Sequence, residues 1–318
     1  MTVPAEGFAA KSEGVKPLLA GETSRAMQFG LWVVVLLPTI LVAIAAPFIL
    51  EWDLGPSWLV CWMFVLMYCV GCLGVGVGFH RYFTHGAFKA SRWLRVALAI
   101  AGSLAIQGPV IQWTADHRRH HAFSDKKGDP HSPWLFGTTP LAVIRGFLHA
   151  HWGWLLKREV TNLERFAPDL LADKAIKKVD DLFYLWMTIS LVLPSVVCGL
   201  VAWSWQEAVA AFFYAGIVRM ACLHHVTWSI NSICHMIGAQ PFASRDEARN
   251  VWPLALFSFG ESWHNLHHAD PTCARHGVLK HQWDINARAI WVFEKLGWAT
   301  SVRWPTPVRM AKLRVVKK

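Results

Sequence analysis

The chain has 318 residues, 54% of them hydrophobic, with 16 histidines and a formal net charge of +10. A mean hydropathy of +0.31 excludes an ordinary soluble domain. No block forms a nucleic-acid-binding motif, so the positive charge is assigned to the loops of a membrane protein.

Residues 1–28 form a polar N-terminal segment without an early apolar run, so no secretory leader is expected and the segment reads as loosely attached. Apolar stretches follow at 29–50 and 57–78, joined by a short link containing Glu51 and Asp53. Each reaches the roughly 20 residues that a helix needs to cross a bilayer. Gly74, Gly76 and Gly78 close the second stretch. No strand precedes them, so close helix packing is expected there rather than nucleotide binding.

The first histidine block, H-R-Y-F-T-H, occupies 80–85. His80 and His85 stand five residues apart, which a regular α-helix places about 140° apart. They are expected to serve different metals or to sit at a helix end. The stretch 96–106 is too short to span and reads as buried or interfacial. The second block, H-R-R-H-H at 117–121, has its histidines at i, i+3 and i+4. That spacing predicts that His117, His120 and His121 converge on one helical face. Residues 125–140 are loop-like, 146–156 are aromatic and suit the membrane interface, and 160–182 read as a solvated amphipathic connector.

Two further apolar stretches, 183–203 and 206–226, complete four predicted spans in two hairpins. Arg219 lies inside the last, where snorkelling to the interface is expected. Asn231 and His235 prolong it, one helical turn apart. The third block, H-N-L-H-H at 264–268, repeats the i, i+3, i+4 spacing. Residues from 281 read as a surface helix followed by a flexible basic tail, 301–318.

Neither outer link carries a Lys or Arg, whereas all 31 basic residues and all 16 histidines fall in the remaining segments or at their edges. The positive-inside rule then places both termini and the central loop in the cytoplasm. The expected fold is an all-α integral membrane protein, residues 29–300, with a helical cytoplasmic cap from 79–182 and 227–300. The seven cysteines give no disulfide framework; those in the spans read as small apolar residues. Eight histidines in three blocks exceed the needs of one metal. Nitrogen ligation leaves zinc, copper, iron and nickel open.

The motifs H-R-Y-F-T-H, D-H-R-R-H-H-A-F-S-D, D-P-H, H-W-G-W-L-L, W-S-I-N-S-I-C-H and G-E-S-W-H-N-L-H-H resemble, in order and spacing, those of the membrane fatty acid desaturases. The similarity is closest to the acyl-CoA (stearoyl-CoA type) enzymes and covers about residues 28–300. It implies a di-iron centre on nine histidines: His80, His85, His117, His120, His121, His235, His264, His267 and His268. Asn231 would reach one iron through water. It also implies O2-dependent removal of two hydrogens from a saturated long acyl chain, giving a cis double bond near the ninth carbon. The acyl tunnel would be walled by 96–112 and the inner span ends. Asp116, Lys157 and Arg158 match head-group contacts. The animal enzymes carry Arg two residues before the first histidine of the second block, and this chain has Ala115. An acyl-lipid or carrier-linked substrate is the alternative, as is a lipid hydroxylase on the same scaffold.

No flavin, nicotinamide or ferredoxin fingerprint is present, so a separate ferredoxin- or flavin-type electron donor is implied. A metal transporter would place ligands inside the spans, and a haem protein needs fewer histidines. The membrane partner is lipid, and a bacterial plasma membrane is the expected location.

Overall fold

The computed structural model describes residues 16–51 and 54–315; Trp52, Asp53 and residues 1–15 and 316–318 lie outside that range. In chain order the elements are β1 (Leu19–Glu22), α1 (Arg25–Glu51), α2 (Trp58–Leu73) with a π-helical continuation (Gly74–Thr84), β2 (Lys89–Ala90), α3 (Arg92–Ser103), α4 (Val110–Phe123), α5 (Pro140–His151), β3 (Glu159–Thr161), α6 (Leu163–Phe166), α7 (Pro168–Ala172), α8 (Lys174–Asp181), α9 (Phe183–Ala202), α10 (Trp205–Ala211), a second π-helical stretch (Phe212–Val218), α11 (Arg219–Asn231), α12 (Trp252–Phe257), α13 (His264–Ala269), α14 (Ile285–Lys295), β4 (Ala299–Thr300) and α15 (Pro307–Leu313). Four helices are long and apolar enough to cross a membrane: Arg25–Glu51, Trp58–Thr84, Phe183–Ala202 and Trp205–His235. At the ends away from the histidines, Ser57 Oγ donates to Glu207 Oε2 at 2.7 Å and ties the second of these helices to the fourth.

The remaining helices pack over one end of the four. An apolar cluster of Phe79, Leu98, Ile111, Leu170, Ile176, Val179 and Ile290 joins the end of the second span to α3, α4, α7, α8 and α14. Residues 160–182 are amphipathic as expected, but not merely solvated: their apolar face is buried in this cluster. The outer face of α5 presents exposed Leu141, Ile144 and Leu148, as an interfacial helix should.

The glycine run is a packing device. A β-carbon at Gly74 would lie 2.2 Å from the backbone of Ala101 and Gly102, and one at Gly76 would lie 2.1 Å from Asn286 Nδ2. Asn286 Nδ2 in turn donates to Glu261 Oε1 at 2.7 Å. Gly76→Ala is expected to push Asn286 off this carboxylate and to destabilise by about 1–3 kcal/mol. Thermal unfolding in detergent measures it; an unchanged midpoint would show that Asn286 can yield without cost.

Two expectations fail at the edges. Arg219 does not snorkel. It is wholly buried, and donates to Ser190 Oγ at 2.8 Å, Ala215 O at 3.1 Å and Leu104 O at 3.4 Å. Leu104 caps α3, so the guanidinium neutralises the negative end of that helix dipole. The tail is not free either. Ala243 N–H donates to Leu313 O at 2.8 Å, and Arg309 pairs with Asp270 and donates to Thr272 Oγ1 at 2.7 Å. At the other terminus, Leu19–Glu22 pairs antiparallel with Glu159–Thr161.

Candidate metal centre

All nine histidines converge, in two adjoining sets. His80, His85, His117, His121 and His267 form one, and His120, His235, His264 and His268 the other; within each set the candidate ligand atoms lie within 4.8 Å of one another. The i, i+3, i+4 trios do not each converge as a unit. On a helix, i and i+4 are about 40° apart, while i+3 and i+4 diverge by about 100°. His117 and His121 accordingly enter one set, and His264 and His268 the other. The i+3 members, His120 and His267, cross over, so α4 and α13 each serve both sets.

His80 and His85 share a set, against the 140° expected. The cause is the π-helix. Its i→i+5 bonding brings residues five apart into register, and His85 N–H bonds to His80 O at 3.2 Å. The ring centroids are 5.0 Å apart. His85 also caps the helix, as the helix-end alternative requires.

The ring nitrogens face inward. His267 Nε2 is 2.9 Å from both His80 Nε2 and His121 Nε2, and His121 Nε2 is 3.1 Å from His117 Nε2. In the other set His264 Nε2 is 3.1 Å from His235 Nε2 and 3.0 Å from His268 Nε2. One ring nitrogen carries either one proton or one lone pair, so His267 and His264 cannot satisfy two such neighbours by hydrogen bonding. A shared cation would: nitrogens about 2.1 Å from a metal and at right angles stand about 3 Å apart. His85 Nε2 and His120 Nε2 are buried without a hydrogen-bond partner, which also fits a role as metal ligands.

Four carboxylates hold the rings from behind. His120 Nδ1–H donates to Asp129 at 3.0 Å, His235 Nδ1–H to Asp125 at 2.9 Å, His268 Nδ1–H to Asp246 at 2.7 Å and His80 Nδ1–H to Glu261. Each leaves Nε2 free to bind metal and raises its basicity. Burial would push the Glu261 carboxyl up, but Arg81 and His80 beside it hold it well below the usual range. Asp129 is likewise held down, against burial, by His120. Burial, and then neighbouring histidines, hold His117, His121, His264, His267 and His268 neutral, the form that ligates. The carboxylates escaped the sequence reading because their positions share no spacing with the histidines. His276 escaped it too; it is buried, 3.7 Å from Glu261, with both ring nitrogens unpartnered.

A cavity of about 770 Å³ reaches the centre; its lining includes His80, His117 and His264 together with Ile106–Pro109, Gln112, Trp113, Thr227 and Trp228. Asn231, Asp116 and Lys157 also line it. Burial raises the Asp116 carboxyl, which accepts from Gln112 Nε2 at 3.1 Å. Arg158 is placed differently: its guanidinium donates to Thr23 O at 2.8 Å and pairs with Glu22 at 2.9 Å.

Two histidines outside the sets contribute to acid sensitivity. His151 bridges Ser232 Oγ at 2.9 Å and His225 Nδ1 at 3.0 Å, and His149 is buried. Burial, with Lys157 acting on His149 and His225 on His151, lowers both from 6.5 to about 4. Between those values the unfolded chain takes up protons that the folded chain refuses. Stability is therefore fully present above 6.5 and falls as the pH drops toward 4. The unfolding midpoint should fall between pH 7 and pH 5, and His149→Phe should make that fall shallower; equal slopes would remove His149 from the account.

Four membrane-length helices beneath a cap that gathers nine histidines describe a helical membrane protein with a donor set suited to metal ions. Comparison with known proteins narrows the class. A family model, fatty acid desaturase, matches residues 56–290, and the chain belongs to that family. It is 42% identical over 255 residues to a hex-5-enoyl-[acyl-carrier protein] acetylenase of Moorena producens, covering 79% of this chain and 78% of the relative. It is 35% identical over 282 residues to delta-9 acyl-lipid desaturase 2 of Arabidopsis thaliana, covering 86% and 83%. It is 34% identical over 261 residues to an sn-1 stearoyl-lipid 9-desaturase of Synechocystis, covering 80% and 75%.

Proposed function

We propose that the chain is an O2-dependent desaturase of a saturated long acyl chain, forming a cis double bond near the ninth carbon at a di-iron centre. The observation that carries this is the convergence of nine imidazole nitrogens in two sets, four of them braced by carboxylates. His80, His85, His117, His121 and His267 would hold one ion, and His120, His235, His264 and His268 the other, with Asn231 contributing through water. Bound there, the irons would supply the oxidising power that breaking an unactivated C–H bond demands. The chain's own part is positioning. The apolar cavity walls hold one methylene pair beside the histidines and exclude water. The names of the acyl-lipid relatives support the ninth-carbon position.

Lys157 at the cavity supports a polar head group such as CoA, while Ala115 and the engagement of Arg158 by Glu22 favour the acyl-lipid or carrier-linked alternative. Electrons would come from a separate ferredoxin- or flavin-type donor. The cap, residues 79–182 and 227–300, would face the cytoplasm of a bacterial plasma membrane, as would both termini, which the placement of Lys and Arg supports. Expression with a suitable reductase, followed by mass spectrometry of cellular fatty acids, tests the reading. New monounsaturated chains support it; oxygen from O2 retained in a hydroxylated product would assign a hydroxylase instead.

A further inference from the structure

The cavity that reaches the histidines also opens sideways. Phe29, Gly30 and Val33 of α1 line one flank and Phe183, Tyr184 and Met187 of α9 the other. Both flanks belong to membrane-length helices. Phe29 is 68% exposed and Tyr184 63%, so the rim of the cavity is the lipid-facing surface itself. The packing explains the gap. α1 leans on 153–156, 212–218 and α11, while α9 leans on α10, 212–218 and α2. A β-carbon placed on Gly30 meets no heavy atom within 4 Å.

We propose that this gap is a lateral portal, through which the acyl chain of an intact membrane glycerolipid slides from the bilayer to the metal centre. The proposal rests on the desaturase reading above and names the form in which the acyl chain arrives. A chain entering from water would first have to leave hydrocarbon, whereas sideways passage keeps every methylene in an apolar medium. The polar rim fits the other end of such a molecule. Lys157, Glu159 and Thr23 line the same cavity at the start of α1, where Trp32 Nε1 donates to Leu156 O at 3.3 Å. An ester-linked head group would rest there at the membrane boundary, with the lysine stem reaching along apolar surface to it.

The test uses the full iron-loaded chain in vesicles of phosphatidylglycerol bearing a deuterated stearoyl chain, with a reductase system, and mass spectrometry of the intact lipid. Stearoyl-CoA and stearoyl carrier protein are offered in parallel. Desaturation of the intact lipid is expected. Gly30→Trp, or Val33→Trp as a second block, should slow it by about tenfold or more at unchanged iron content. Parental rates on the lipid in both variants would overturn the portal, as would desaturation of a thioester but not of the intact lipid. An iron-loaded parent that desaturates none of the three substrates would instead overturn the desaturase reading.

Discussion

His267→Ala is expected to abolish unsaturated product and to lower metal content. His267 Nε2 stands 2.9 Å from both His80 Nε2 and His121 Nε2, at the middle of its set. No other donor from α13 enters that set, because His264 and His268 face the other. The loss should exceed the roughly 10–100-fold that removal of an outer hydrogen-bond partner costs in affinity or activity. Asp246→Asn provides that milder comparison, since it weakens the brace on His268 and leaves the imidazole itself in place. Metal analysis of the purified protein and fatty acid profiles of the expressing cells measure both. Product at the parental level from His267→Ala would sink the assignment of the nine histidines.

Arg81→Met should have the largest effect on stability. The guanidinium is fully buried. It lies 2.8 Å from Glu261 and 3.0 Å from Asp284, and also donates to Ala274 O at 2.8 Å. Its removal strands two buried carboxylates, a loss of about 3–5 kcal/mol. Glu261 also holds His80 and Asn286, so the damage should extend to metal retention. Membrane levels of the protein and its unfolding midpoint report the effect. The double variant Arg81→Met/Glu261→Gln should recover part of the loss, because one stranded charge is gone. A double variant no better than the single would mean that the ion pair is not what the site depends on.

The histidine blocks and the four spans were readable in the sequence because each is a local pattern: apolar length, or imidazoles within one turn. What was not readable depends on contacts between distant segments. Glu261 braces His80 across 181 positions and Asp125 braces His235 across 110, and no spacing announces either. Arg219 was expected to reach for water because its partners, Leu104 and Ser190, lie on other helices. The helix-end placement of His85 agrees with one of the two alternatives, but its sharing a set with His80 was not legible, because these residues wind as a π-helix rather than an α-helix. The crossing of His120 and His267 needed the two helices to be seen facing each other.

That crossing also constrains biogenesis. A chain synthesised only as far as the end of the fourth apolar stretch holds four of the five donors of one set, lacking His267, and only His120 of the other. Neither half of the cap owns a complete site. If the two sets bind metal as proposed, insertion of the spans can run ahead of metal acquisition, and full loading would wait until α13 has emerged and folded back over α4.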